Sequence, residues 1–522
     1  MADNIRPPLQ PSDRPAHNEP SPEDLDKLRA WHEERLQRKL RGEYESERLH
    51  LAELVNDNLH TPLRIASVRV NGATHTSQSF LAWLLHPHLA PFTPSPSSPP
   101  TLSTVLHTTR AISHTLSATE LFRTLTARIE RTDLGKHDEV DVVFDVKERG
   151  RFFLKSSTEV GNGEGSASLT ARLTNILGNA DTLSLNTSLG TKTKRAFDAS
   201  FSLPISPSLS SHAFLSVVGT EKELGPQGGG GREERVGIRA GVRRVGAVGE
   251  EQTGGVSEIT AEGVWRCIGG LNEDAGMSIR QSSGPALKAS LTHTYSLNTL
   301  NDLVAPTSGA FLRLINELGV SGKVDAFGEV GSSPTPDAKD GRGAMGEGKN
   351  AFWKVEGEAR KGWGVARGLT LSLSARAGLL HLLSGDASAT HYSDKFQLGG
   401  PLSVRGFGVG GLGGREGATS TGGDVFYALG LSLISDIPKR PEWPVKLHGW
   451  VNAGRVRSLD GGLPSLAQSI TTRPSPSLSA GLGLIYKFDP VRLEVNFGLP
   501  LVASKGEALR RGVQVGIGVE FM

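Results

Sequence analysis

Cysteine is almost missing from this chain: Cys267 stands alone among 522 residues. That excludes an intramolecular disulfide and any multi-cysteine metal site, fits a reducing or thiol-buffered surrounding, and leaves Cys267 as a small semi-polar strand residue. Long apolar runs are also lacking. Hydrophobic residues make up 37% of the chain, and no stretch approaches the ~20 that a spanning helix requires. Nor is there an excess of one charge, with 57 Lys+Arg against 55 Asp+Glu, so bulk electrostatics give no reason to expect a nucleic-acid partner. The chain holds no G-x-x-x-x-G-K-[ST], no H-E-x-x-H and no G-x-S-x-G, and its 15 histidines show no metal-ligand spacing. The expectation is a protein that is not an enzyme and takes neither cofactor nor metal.

The amino end, MADNIRPPLQPSDRPAHNEPSPEDLDKLRA, is polar and proline-punctuated, so it reads as neither a secretory signal nor a cleaved mitochondrial presequence. Ser21-Pro22-Glu23-Asp24 predicts a helix start, with Ser21 as N-cap and Pro22 at the first helical position. The helix is expected to run to about Val55; Leu25, Leu28, Leu36, Leu40 and Leu54 are sparse among charges, which suits a solvated or loosely docked element. From Leu63 the pattern becomes a compact β-α-α-β-β unit ending at Glu148. LRIASVRVNG opens it, THTSQSFLAWLLHPHL and TLSTVLHTTRAISHTL read as helices, and TARIERTDL and DEVDVVFDVKE as strands. Between the helices, APFTPSPSSPP is a solvated insertion. The expected division is an extension over 1–62, a module over 63–148 and a third region over 151–522.

Glycine is abundant, 64 residues or about 12%, against a usual share of roughly 7%. After Arg151 segments of roughly ten residues alternate with Gly, Pro, Asn and Asp, the length of a tilted strand crossing a bilayer. In VRLEVNFGL, Val491, Leu493, Val495 and Phe497 share one face, and Arg492, Glu494 and Asn496 the other. One face suits lipid and the other a wet lumen. Such segments lie near 152–160, 164–174, 180–190, 194–203, 211–220, 232–244, 256–268, 285–296, 309–319, 350–360, 368–380, 421–434, 445–455, 476–487, 490–499 and 512–521. Sixteen is an even number, which lets an antiparallel sheet close into a transmembrane β-barrel without exposed edges. The longest polar connectors all follow odd-numbered strands and so share one rim. A soluble sandwich or a β-helix would not require that parity.

One of those connectors contains QLGGPLSVRGFGVGGLGG, Gln397 to Gly414. Gly408 to Gly413 matches G-x-G-x-x-G, but a dinucleotide site needs a strand before and a helix after, and GREGATSTGGDV offers no helix. With Val404-Arg405-Gly406-Phe407 in the long loop near 382–420 after the eleventh strand, the chain resembles the outer-membrane protein insertase superfamily, the BamA-like bacterial surface antigen family. The family's tetrapeptide stands at the tip of the sixth long loop, which folds back into the lumen. APTSGAFLRLINELG (305–319) and RLEVNFGLPL (492–501) are similar to two further strands of the family, and the likeness spans about 63–522.

The resemblance implies that 63–148 is a single POTRA module facing the intermembrane space. It also implies that β-barrel precursors are inserted through a seam between first and last strands, with accessory subunits of the mitochondrial sorting and assembly complex and outer-membrane lipids as partners. The closing strand carries Gln514, Gly516, Val519 and Phe521 in the spacing of the mitochondrial barrel sorting signal. With no secretory signal and one module, the mitochondrial branch fits better than the bacterial one. The seam would join Phe153, Lys155 and Ser157 to the last strand, and Gly516 and Gly518 would ease its unpairing. Arg405 inside a lumen needs an inward-facing acid, for which Asp424 and Glu494 are candidates; Asn452 stands where bacterial relatives tend to carry an acid. A passive outer-membrane metabolite channel, or a two-partner secretion or chloroplast-translocon relative, are the alternatives.

Overall fold

A computed structural model describes residues 22–40, 54–89, 100–132, 138–161, 164–246, 254–302, 304–324, 349–385, 390–401, 403–438, 440, 442–459, 475–488 and 491–518. The chain divides into two compact units, one of Met1–Thr74 with Ala82–Arg149 and the other of His75–Leu81 with Gly150–Met522.

In the first unit, helix α1 covers Pro22–Leu40. Leu25 and Leu36 are exposed on it, as a charged, weakly amphipathic sequence requires. The expected cap at Ser21 and the continuation over 41–53 lie outside the described residues. Next come β1 (Arg64–Asn71), α2 (Gln78–Leu89), α3 (Leu102–Ala118), β2 (Phe122–Arg131) and β3 (Glu139–Glu148). The sheet order is β1-β3-β2, with β3 parallel to β1 and antiparallel to β2. β3 is central and nearly continuous in burial from Val140 to Phe144, as a strand covered on both sides must be. α3 buries Val105, Thr109, Ile112 and Leu116, one stripe at helical spacing. The order matches the sequence reading, but β2 begins at Phe122, earlier than TARIERTDL suggests, because Leu121 and Phe122 are themselves core residues. On β3, Asp141 is buried; a hydrogen bond from Ser67, at 2.8 Å, leads the effects that hold its carboxyl below the usual value, with Arg69 and Thr132 adding to it.

The second unit is a sheet of sixteen strands: β4 (Phe152–Gly161), β5 (Glu164–Thr174), β6 (Thr182–Gly190), β7 (Thr193–Pro204), β8 (Ser211–Glu223), β9 (Arg232–Val245), β10 (Val256–Gly269), β11 (Gly284–Asn298), β12 (Ala310–Lys323), β13 (Lys349–Ala366), β14 (Leu369–Ser384), β15 (Val425–Asp436), β16 (Val445–Arg457), β17 (Ser477–Phe488), β18 (Val491–Val502) and β19 (Gly512–Gly518). Each pairs antiparallel with its neighbours in sequence. Alternation sorts the side chains. On β18, Val495, Phe497 and Leu499 are exposed while Glu494 and Asn496 are buried; on β19, Val513 and Val515 are exposed and Gln514 is buried. Apolar groups thus face outward, the arrangement a lipid-facing barrel wall needs. Among the described residues no helix is long and apolar enough to cross a membrane.

β13 and β14 run further than their expected spans of 350–360 and 368–380. Their ladder continues through Trp363↔Leu371 and Gly364↔Thr370 to a tight turn at Gly368, because the alternation persists beyond one bilayer crossing. β15 starts at Val425 instead of 421. The preceding residues are engaged otherwise: Arg415–Glu416 pairs with Thr419–Ser420, and Gly423 bridges Phe396. The long connectors 324–348, 385–424 and 458–476 follow the ninth, eleventh and thirteenth strands, the parity expected from sequence.

Candidate functional site

The connector between β14 and β15 turns inward. Val404, Phe407 and Leu412 join Phe396 and Leu398 of the same loop in one apolar cluster with Phe352 of β13, Leu380 of β14, Phe426 and Ala428 of β15, and Val456 of β16. Burying such residues at roughly 1.5–3 kcal/mol each is ample to hold a loop against the inner wall.

This packing delivers Arg405 to the inner wall at β16 and β18. Its side chain is wholly buried, as is that of Glu494 on β18, and the two form an ion pair. Arg405 Nη2 and Nε donate to the same Glu494 oxygen, Oε2, at 2.9 and 3.2 Å, and Nη1 donates to Asn452 Oδ1 on β16 at 3.2 Å. Asn496 Nδ2 also donates to Glu494 Oε2, at 2.7 Å. His448 connects Asn496 to Ser432. Burial without such partners would cost several kcal/mol per ion, so the fixed geometry is what makes a charge tolerable here. The Arg405 guanidinium also lies 5.5 Å from the ring centre of Trp450. Trp450 has room because β17 and β18 place Gly481 opposite Gly498; a Cβ at either would meet the indole within about 3 Å.

Backbone contacts complete the clamp. Gly406 has φ +82°, and a Cβ there would come 3.0 Å from that of Ser479, so glycine is required twice over. Ser479 Oγ donates to Arg405 C=O at 2.5 Å. Gln514 of β19 accepts the Gly406 N–H through Oε1 at 2.9 Å and donates through Nε2 to Phe407 C=O at 3.3 Å. The connector that leads into β19 joins in: Gly408 N–H donates to Ala508 C=O, Ala508 N–H to Gly411 C=O, and Arg510 N–H to Gly406 C=O. The tetrapeptide is therefore fastened to the last strand and to its approach.

A second polar cluster holds the loop's leading limb. Asp394, almost fully buried, accepts from Arg266 Nη1 and Nη2 of β10 at 2.9 and 2.6 Å and from Lys288 of β11 at 2.9 Å. Lys288 also pairs with Glu317 of β12 at 2.6 Å. Ser393 donates to Glu233 of β9, which pairs with Arg235. Burial alone would raise the Asp394 carboxyl; the hydrogen bonds and charge of Arg266, with Lys288, outweigh it and hold the group well below the usual carboxylate range. Nothing in the sequence pattern marks this cluster, since Arg266 reads only as one polar position of an alternating strand.

Of the two acids expected to meet Arg405, Glu494 forms the ion pair; Asp424 accepts the Leu459 N–H at 3.0 Å. Asn452 keeps a contact to the arginine as a neutral acceptor. Gly408 to Gly413 are followed by the short hairpin at 415–420 with no helix, which removes the dinucleotide reading. Phe153, Lys155 and Ser157 stand together on one side of β4, where Ser157 hydrogen-bonds Ser168 of β5 at 2.7 Å. Gln514 and Gly516 lie on β19, while Val519 and Phe521 lie outside the described residues. Among the described residues no ladder joins β4 to β19. Phe152, Phe153 and Leu154 of β4 are more than half exposed.

Residues 175–521 match the Omp85 superfamily domain. The chain is 30% identical over 497 residues to a SAM50-like protein of Schizosaccharomyces pombe, covering 90% of this chain and 94% of that protein. It is 28% identical over 391 residues to the sorting and assembly machinery component 50 homolog of Bos taurus, 73% of this chain and 76% of that one. Among solved structures, BamA from Haemophilus ducreyi lacking POTRA domains 1–3 superposes with a TM-score of 0.64 at 16% identity, covering 87% of this chain and 85% of that one, which shows a shared fold.

Proposed function

The chain belongs to the Omp85 superfamily as a SAM50-like outer-membrane β-barrel insertase, and we propose that it folds and inserts precursor barrels through the seam between β4 and β19. The observation that carries this reading is that β4 and β19, the two ends of the sheet, lie beside each other with no mutual ladder among the described residues. An unpaired backbone edge in lipid is costly, and a strand that adds to it gains every hydrogen bond it makes. Gly516 of β19 offers no side chain to pack, so this strand is the weaker side of the seam. An incoming sorting signal adds to the edge of β4, taking the place of β19 at the seam.

The work is done in the mitochondrial outer membrane, with the POTRA module in the intermembrane space and accessory subunits alongside. No bond is made or broken, so the insertase needs no nucleophile, general base or cofactor. A passive metabolite channel is not favoured: a conducting pore has no use for a loop whose Val404, Arg405 and Phe407 are wholly buried against the wall.

The test is a cysteine pair, one in Phe152–Gly161 and one in Gly512–Gly518, introduced into the full chain and oxidised in isolated mitochondria. Insertion of newly made barrel precursors should stop on oxidation and return on reduction. Undiminished insertion with the crosslink complete would remove the seam from the mechanism.

A further inference from the structure

The loop over 385–424 touches two separate parts of the wall with opposite charge. Its tip carries a cation, Arg405, to Glu494 on β18 and Asn452 on β16, next to the seam. Its leading limb carries an anion, Asp394, to Arg266 on β10 and Lys288 on β11, in the middle of the sheet and well removed from the seam in strand order. Backbone contacts mark the limb as a built attachment. Tyr392 N–H donates to Ser282 Oγ at 2.9 Å, its hydroxyl donates to Gln227 C=O, and its ring packs with Ile268, Ala275 and Ile279. Between the two ends, Gly399 and Gly400 adopt φ near +118° and +117°, a bend that side chains rarely allow.

The space beside the two ends differs. Arg405 and Glu494 are closed in completely. Asp394 borders a cavity of about 630 Å³, whose wall includes Arg266, Lys288, Asp198, Arg239 and Glu262. A loop freed at Asp394 therefore has somewhere to move, whereas one freed only at Arg405 remains fixed to the strands opposite.

We propose that the described part of this loop, 390–401 and 403–424, is a strut fastened at both ends and that Asp394 is its second positioning residue, setting where the Arg405 clamp sits against the seam. The functional half of this inference rests on the insertase reading. A charged pair suits the task because it is directional: Arg266 grips both carboxylate oxygens, fixing the orientation of the limb as well as its location. The positive groups of β10 and β11 repel any cation brought there in its place, so the loop has one register in the lumen.

The experiment uses the full chain in lipid bilayers and reads three quantities: heat-modifiable electrophoretic mobility for the folded barrel, single-channel conductance for loop position, and insertion of labelled barrel precursors. With Asp394→Asn the folded barrel persists, conductance rises at least about twofold, and insertion falls by at least about tenfold, a lower bound on the effect of removing one partner of a buried pair. Asp394→Glu retains most of both, and Asp394→Arg combined with Arg266→Asp recovers part of the loss. A structural residue alone would not move conductance in a barrel of normal mobility. Unchanged conductance in Asp394→Asn, or raised conductance with normal insertion, overturns the proposal. If that variant does not assemble, Arg266→Gln, which removes the grip on both carboxylate oxygens and leaves the Lys288 contact in place, takes its role, and wild-type conductance there also overturns it. Should the unmodified chain insert nothing, the insertase reading fails, while conductance still decides whether the strut exists.

Discussion

Gln514 holds the backbone of Gly406 from the last strand, at 2.9 Å, with the other end of the same amide reaching Phe407 at 3.3 Å. All the groups involved are buried, so Gln514→Leu leaves a backbone N–H and a backbone C=O to find new partners, at about 1–3 kcal/mol for each group left unsatisfied. The variant should lower the temperature at which the barrel loses its compact electrophoretic mobility and should slow precursor insertion. Unchanged values for both would mean that the contact carries no weight.

Arg405→Ala removes one member of a fully buried pair, for which a loss of about 3–5 kcal/mol is expected. Arg405→Lys should rescue little, because one ammonium cannot serve Glu494 and Asn452 as the planar fork does. Arg405→Ala combined with Glu494→Ala should cost less than the sum of the single changes, since no lone charge is left. Thermal unfolding of the four proteins and their precursor insertion in isolated mitochondria give the cycle; additive losses would show that the pair is not coupled.

Gly406→Ala meets both a positive φ and the Ser479 side chain. The left-handed conformation alone costs roughly 1–2 kcal/mol for a residue with a Cβ. Reduced thermal stability should therefore appear in Gly406→Ala and be partly relieved by adding Ser479→Gly, which removes the nearest atom. If the second change relieves nothing, the close approach is not the cause.

His391 supplies a pH dependence. Burial first, and the charge of Arg266 next, lower its pKa to about 3; Arg235 and Lys288 act in the same direction and Asp394 opposes them. Its Nδ1 accepts the Ser393 N–H at 3.2 Å, so the neutral ring carries its proton on Nε2. The unfolded chain takes up a proton near pH 6.5, and the folded chain does so only near 3. Stability from this group is complete above the unfolded value and is lost as pH falls below it. Asp394, also depressed, adds its own loss only at more acid pH, below about 3.9. Melting temperature should therefore decline from pH 7.5 to pH 5, and His391→Gln should flatten that slope; an equal slope in the variant would rule the residue out.

The strands were legible because they follow from local alternation, whereas the inward turn of the loop was legible only through the family resemblance carried by Val404 to Phe407. Glu494 was legible from alternation as well: it shares a face with Asn496, and that face is the wet one. The Gln514 clamp was not, since Gln514 is 108 positions from Gly406 and its fit within a linear signal already accounts for it. Asp394 lies 128 positions from Arg266, and only the inward turn of the loop makes them neighbours. The end of β13 was misjudged for a different reason: a bilayer thickness limits what lipid covers, but backbone pairing can continue beyond it.

The seam bears on which step is slow. If β4 has no ladder to surrender, the first hydrogen bond to an arriving strand is a net gain instead of an exchange, and initiation should depend on encounter alone. A finished precursor, by contrast, is attached along a full strand and must give up every bond at once to another edge, most simply its own. Release is then the expected bottleneck, and precursors able to close their own barrels readily should leave fastest.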